Sequence, residues 1–354
     1  MPPSSPAPGR NRWRWILPAL LGLSAVAGFT AYLVFFGSNS FSGSTEKVFF
    51  VSRGQSFHTI GDSLERQGII RNRTMFEIVA RVYGGAERIQ VGKYRFESGI
   101  SNAELFLTLQ SGRGNQLIVV TIPEGYRARA QARLFARYVN ADTARFMQLV
   151  RDPAFARELG IESPTLEGYL LPDSYGLYWE QDEKDILRRQ VSLFKMFFTD
   201  TLAARAKELG WTVRQAVTFA SIVEGEAVLD EERPVIAGVY HNRLRLGMRL
   251  EADPTIQYIL PDGPRRVLYA DLRLDNPYNT YRYAGLPPGP VNNPGRSSIL
   301  ASLYPSAHGY IFFVANGRGG HWFSKNYTEH QRSVRKYRRE RARQWEQAKG
   351  PIPG

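Results

Sequence analysis

The chain has 354 residues, no cysteine and a formal net charge of +13. That length suits two or three modest domains with ample core, and an apolar fraction of 43% excludes disorder throughout. The missing cysteines exclude disulfide scaffolds, thiolate metal sites and cysteine nucleophiles. The charge points to an anionic partner such as acidic lipid or an acidic wall polymer. No helix-turn-helix, zinc-finger or RNP-like string accompanies it, so no nucleic acid is expected as partner. The five histidines show no HExxH or other ligand spacing, and no metal or other cofactor is expected.

Residues 1–15 carry Arg10, Arg12 and Arg14 and read as a cytoplasmic tail. Ile16 to Phe36 follows without a charged residue, and about 20 apolar residues suffice to span a bilayer. Arginines before the run and none directly after it predict a single pass through the inner membrane. The N-terminus would then be cytoplasmic and the remainder extracytoplasmic or periplasmic. Trp13 and Trp15 are placed as interfacial anchors. Ala25-Val26-Ala27 resembles a signal-peptide cleavage site, but the apolar run continues to Phe36, which favours an uncleaved anchor. The Gly/Ser/Asn-rich residues 37–46 read as a flexible linker.

A small α+β module is expected over residues 47–121. Lys47 to Val51 is β-prone. Phe57, Ile60 and Leu64 recur at helical spacing before Gly68, and Phe76, Ile78, Val79 and Val82 before Gly84-Gly85. A short strand follows around Gly92 to Phe96, then a helix from Ser101, with Glu104 three residues on as a capping box. This order of strand, helix, helix, strand is similar to LysM modules, which bind N-acetylglucosamine-containing polymers. A small spacer without a ligand is the competing reading.

From residue 122 to 345 a mixed α+β domain with the candidate chemistry is expected, followed by a C-terminal tail, 346–354. Helical patterns run over Ala128 to Tyr138 and Ala141 to Val150. Thr165 to Tyr175 is a Gly/Pro-punctuated loop with two carboxylates, Glu167 and Asp173, among aromatics. Such loops suit sugars, whose CH faces stack on rings while hydroxyls bond carboxylates and amides. The clearest helix is Thr212 to Leu229, opened by a Thr212/Gln215 capping box, with Glu224 and Glu226 on opposite flanks of its apolar face. A carboxylate at such a flank is half desolvated, which raises its pKa and suits a general acid. Helical geometry alone does not choose between the two.

The next helix has Pro234 in its first turn and stops at Gly247. Arg243 projects from its buried stripe and needs a carboxylate partner. Asn242 lies at the edge of that stripe, and His241 and Arg245 project to solvent. Asp253-Pro254 marks a turn or helix start. Asn279 and Tyr281 are placed to supply amide and ring contacts to a sugar, and the Pro/Gly-rich run around them reads as a rigid shaped loop. A helix over Ser297 to Leu303, a buried strand over Tyr310 to Val314, a hairpin edge at Gly319 to Phe323 and a basic helix from His330 complete the chain. That last helix carries Arg332, Arg335, Lys336, Arg338, Arg339, Arg341 and Arg343, and the simplest expectation for it is a solvated face.

LEGYLLPDSY (166–175), ASIVEGEA (220–227), VYHNRLRLGMRLEADPTIQY (239–258), YNTYRYAGLPPGPVNNPGRSSILA (278–301) and YIFFVANGRGGHWFS (310–324) together resemble the YceG-like family of endolytic murein transglycosylases, in order and in spacing. The resemblance implies a LysM-like subdomain and a catalytic domain with a lysozyme-like helical element. The family's catalytic glutamate is the second acid of an A-S-I-[IV]-E-x-E string, here Glu226, with Glu224 supporting. Glycine at position 225 is a minor departure. The implied activity is lytic cleavage of peptidoglycan glycan strands beside peptidoglycan polymerases. Glu167, Asn242, Asp253, Thr255, Asn279 and Tyr281 are then candidates for holding sugar hydroxyls and acetamides, and Arg243 for orienting an acid. A true glycoside hydrolase pairing Glu226 with Glu167 or Asp253 across a water, and a non-catalytic wall-binding scaffold, are the alternatives.

Overall fold

A computed structural model describes residues 13–261 and 265–348, with side chains from 16 to 344. Arg10, Arg12, the side chains of Trp13, Arg14 and Trp15, and residues 349–354 of the expected C-terminal tail lie outside the described residues. The chain forms two compact units, Met1–Ile118 with Tyr178–Glu180, and Val119–Leu177 with Gln181–Gly354. Helices and small sheets are mixed in both, as the expected α+β class requires.

In the first unit a long apolar helix, α1 (Trp13–Phe36), precedes β1 (Glu46–Val51), α2 (Phe57–Arg66), α3 (Arg73–Tyr83), β2 (Gly92–Glu97) and α4 (Asn102–Ser111). Strand, helix, helix and strand thus follow in the order of a LysM-like module. β1 and β2 pair antiparallel from Glu46↔Glu97 to Val51↔Gly92. On β2, Tyr94 and Phe96 are buried while Arg95 and Glu97 face water, the period of two that a one-sided sheet demands. Ile60, Leu64, Phe76, Val79, Phe106 and Leu109 close the core over that face. Ser56, Asn72 and Ser101 cap the three helices through their side-chain oxygens.

Within α1, Ile16–Phe36 is long and apolar enough to cross a membrane and is almost wholly exposed. Its end is not loose. Val34 is buried in the core of this unit, and the Asn102 amide donates to the Val34 carbonyl at 2.8 Å. The stretch expected to be a flexible linker is pinned as well. Asn39 is 4% exposed and donates to Ile100 O and Asn102 Oδ1, each at 3.0 Å, and Phe41 joins the core. Composition suggests a linker here because Gly, Ser and Asn dominate, but one buried Asn and one Phe are enough to fix the path.

The second unit begins with β3 (Ile118–Thr121), α5 (Ala128–Val139), α6 (Thr143–Val150), α7 (Pro153–Glu158) and β4 (Ser174–Leu177), which pairs with β3. It continues through α8 (Glu183–Phe197), α9 (Asp200–Glu208), α10 (Val213–Glu226), α11 (Arg233–Arg245), α12 (Asp253–Ile259) and α13 (Arg296–Leu303). It ends with β5 (Phe312–Ala315), β6 (His321–Ser324) and α14 (Tyr327–Ala348). β5 and β6 form an antiparallel hairpin, although β5 is half-buried rather than the buried strand its apolar run suggests.

The centre of this unit is α10. Its N-terminus carries the expected capping box between Thr212 and Gln215. Every residue from Ala216 to Glu224 is buried, because α9, α11, α12 and α13 pack around it. Two polar residues in that stretch are satisfied locally: Thr218 donates to Arg214 O at 2.7 Å, and Ser221 donates to Thr218 O at 2.7 Å while accepting from Val291 N at 3.0 Å. The helix ends at Glu226, with Ala227 already extended, so it stops short of the expected Leu229.

Gly225 explains how the last turn closes on its neighbour. A Cβ there would sit 2.5 Å from Cγ of Pro254 at the start of α12, inside any normal contact distance. Alanine is the better helix former by about 1 kcal/mol, yet Gly225→Ala must push two helix ends apart. We expect a net loss of about 1–3 kcal/mol in urea unfolding, partly recovered when Pro254→Ala removes the ring.

Candidate active site

Glu226 is the last helical residue of α10. Its side chain keeps a partly exposed edge, while protein crowds it elsewhere. Tyr240 on α11 donates its hydroxyl to Glu226 Oε1 at 2.8 Å. The ring of Tyr240 is held edge-on between Phe219 and Phe313, with centroids at 6.4 and 5.7 Å, so the hydroxyl has one direction to point. The backbone N–H of Asp253 also bonds the Glu226 carboxylate. Asp253 is the first residue of α12, where N–H groups have no partner within the helix.

These neighbours set the proton affinity of Glu226. Burial pushes it up from 4.5 to about 7, and the nearby Asp253 charge adds to the rise. The Tyr240 hydroxyl, the Asp253 N–H and the Arg243 guanidinium act in the opposite direction. Asp253 is exposed, and its Oδ1 accepts from the Tyr281 hydroxyl at 2.7 Å. Burial, followed by that contact with Asp253, holds the Tyr281 phenol far above its usual range, so it stays a donor.

Glu224, two residues earlier, has a different environment. It is 9% exposed, accepts from Gly295 N at 2.9 Å and pairs with Arg233 Nη1 at 3.2 Å. Arg233 also reaches Glu124 at 3.4 Å and Asp230 at 2.8 Å, and donates to Ser298. Burial first, then the charge on Glu224, raises the Glu124 carboxyl.

Of the other candidates, Asp253 and Tyr281 join Glu226, and Arg243 lies close enough to bias its charge. The direct carboxylate partner of Arg243 is Glu251 at 3.0 Å, and its guanidinium also donates to the carbonyls of Leu250 and Ile311, each at 2.8 Å, and of Arg249 at 3.1 Å. Glu167 lies in a separate cluster: it is 8% exposed and accepts from Ala128 N at 2.9 Å and Asn293 Nδ2 at 2.8 Å. Burial raises its carboxyl to about 7, while those two donors and Arg127 oppose the rise.

The amide of Asn242 donates to His308 O at 2.8 Å and Tyr310 O at 3.0 Å. Thr255 is fully buried, donates to Ala252 O at 2.7 Å and shares a hydrogen bond with Thr280. Asn279 is also fully buried; its amide bonds the Leu272 and Leu274 carbonyls, and its oxygen accepts from Tyr281 N at 2.9 Å. These three side chains shape the loops around the site. His241 does not face solvent as projected: it stacks on Trp211 at 4.6 Å and bonds Ser302 O at 2.9 Å.

Sequence reasoning missed Tyr240, Arg233 and Asn293. Tyr240 had a usable signal, because a tyrosine in a buried stripe needs an acceptor for its hydroxyl. Arg233 and Asn293 act through contacts distant in sequence, for which no spacing rule exists.

Comparison with known proteins shows the family of the chain. An endolytic murein transglycosylase of Bacillus subtilis is 30% identical over 302 residues, covering 81% of this chain and 83% of that protein. One from Streptococcus pneumoniae is 28% identical over 325 residues and covers 80% of this chain; the match takes in 57% of the longer streptococcal protein. A solved structure of a yceG-like protein from Listeria monocytogenes superposes with a TM-score of 0.59 at 29% identity, covering 81% of this chain and 98% of that one. The family model described as the YceG-like family matches residues 49–336, most of the chain, and the protein therefore belongs to the YceG-like family.

Proposed function

We propose that the chain is a membrane-bound endolytic murein transglycosylase with Glu226 as its only acid–base group. The observation that carries this reading is a partly exposed glutamate pushed up to about 7, supported by relatives bearing that name. Protonated Glu226 gives its proton to the oxygen that links N-acetylmuramic acid to N-acetylglucosamine. The bond from that oxygen to the anomeric carbon breaks. The C6 hydroxyl of the same muramoyl residue attacks the anomeric carbon and returns its proton to Glu226, leaving a 1,6-anhydro end. Because the nucleophile is tethered to the reacting centre, proximity replaces the second carboxylate that a hydrolase needs.

Asp253 lies beside the acid, and in this scheme its carboxylate stabilises positive charge developing on the sugar ring, with Tyr281 holding it in place. Tyr240 orients Glu226 and supports its carboxylate after the proton has left. Glu224, Glu167, Thr255, Asn279, Asn242 and Arg243 hold the surrounding loops and helix ends. The span Ile16–Phe36 anchors the chain in the inner membrane with its N-terminus in the cytoplasm, which keeps the site near nascent strands and the polymerases that extend them.

Glu226→Gln keeps shape and loses the proton. Glycan cleavage should fall on the order of 10³-fold, and mass spectrometry of the muropeptides should show anhydro ends only with the wild type. Ordinary reducing ends from the wild type would instead assign the enzyme as a hydrolase pairing Glu226 with Asp253. Activity requires protonated Glu226 and so should decline as pH rises through about 7. Tyr240→Phe removes a donor that favours the ionised form. It should move that limb to higher pH while lowering turnover about tenfold.

The same shift has a consequence for stability. A glutamate with a folded pKa of about 7 against 4.5 costs nothing below pH 4.5, and the folded state loses stability as pH rises towards 7 and above. Glu226→Gln carries no such loss. Above pH 7 it should unfold at higher urea than the wild type, by up to about 3 kcal/mol, with the difference vanishing near pH 4.

A further inference from the structure

The basic run near the C-terminus has no part in the chemistry above. On α14, Arg332, Arg335, Lys336, Arg339 and Arg343 stand at i, i+3, i+4, i+7 and i+11, which places all five on one face of a helix. All five are exposed. The opposite face, with His330, Ser333, Val334 and Tyr337 half-buried, packs on β5 and β6. None of the five is ion-paired among the described residues. The nearest acid in the first turn, Glu329, is occupied by Lys325 N at 2.9 Å and Asn326 Nδ2 at 2.8 Å. The Lys336 ammonium lies over the Trp322 ring at 4.4 Å. Four exposed arginines and the Trp322-backed Lys336 thus form a line of five basic residues along one helix face, about 16 Å long. Arg339 and Arg343 lie past residue 336, where the family match ends.

We propose that this stripe docks the second unit on the anionic phospholipid surface of the membrane in which the chain is anchored. A row of exposed basic residues along one helix face suits a plane of distributed negative charge better than a single ligand. Each basic residue near an anionic bilayer adds a modest, additive attraction. Chain tethering raises the effective concentration of the surface, which makes such weak attraction count. The inference rests on reading Ile16–Phe36 as a membrane span.

The full chain, which has no native cysteine, takes a single fluorophore at Thr328→Cys, an exposed position on the same face. It is reconstituted in vesicles of phosphatidylcholine alone or with about 30% phosphatidylglycerol, each carrying quencher on the lipid headgroup. Quenching should be at least about twofold stronger in the anionic vesicles and should disappear near 0.5 M salt. It should also disappear when all five positions become glutamine, persist when the four arginines become lysine, and be unaffected by Arg338→Gln with Arg341→Gln on another face. Equal quenching in both vesicle types would overturn the proposal. So would anionic-vesicle quenching that survives the five glutamines, or that appears only once soluble peptidoglycan is added. A chain that fails to float with either vesicle would overturn the anchor reading instead.

Discussion

Glu226 meets solvent at the final residue of a helix that is buried from Ala216 to Glu224, and the Tyr240 hydroxyl reaches it at 2.8 Å. Most helices in a domain of this kind show one apolar stripe and one wet face. Here the neighbours enclose α10, so the position of its last residue is set by packing on all sides and not by a loop. A carboxylate delivered in this way is already placed when substrate arrives, which is the condition for effective proton transfer. Tyr240 is fixed by the same core, its ring held by Phe219 and Phe313, so acid and donor move together if they move at all.

Two glutamates a residue apart show how strongly local contacts decide chemistry. Glu224 is turned toward Arg233 and the Gly295 N–H. A carboxylate with a cation and an amide donor in a buried site is held as a structural charge, and removing either partner would leave the other buried without compensation. Glu226 has a hydroxyl, one backbone amide and a neighbouring carboxylate. Gly225 stands between them because the chain there presses on Pro254 with no room for a Cβ. The glycine that looks like a weakness in the helix is what allows α12 to bring Asp253 to the acid.

Helices such as α2, α5 and α10 were legible because their apolar spacing and caps are local properties, whereas α8 and α9 drew no reading from the sequence. The Thr212/Gln215 capping box is present as read, and the strand, helix, helix, strand order of the first unit follows from short periodic runs. What was not legible depends on partners far along the chain. The flexible reading of residues 37–46 fails at Asn39, whose partners are Ile100 and Asn102. His241 looks solvent-facing on its own helix and is covered by Trp211. Three short polar candidates, Asn242, Thr255 and Asn279, have the right chemistry for sugars, yet their donors are taken up by backbone or neighbouring hydroxyl oxygens. Glu224 and Glu226 could not be ranked by helical projection, since burial of the whole helix erases the difference between its faces.

Asp253 acts on Glu226 with both signs. Its carboxylate favours the protonated acid by repulsion, while its backbone N–H favours the ionised form by hydrogen bonding. A group that must give a proton and then take one back works best when neither form is strongly preferred near the working pH. Burial alone would hold the proton too tightly. Burial sets the rise to about 7, the Tyr240 hydroxyl is the first influence against it, and Asp253 adds a contribution of each sign. Displacing the start of α12 therefore changes the attractive and repulsive contributions of Asp253 together.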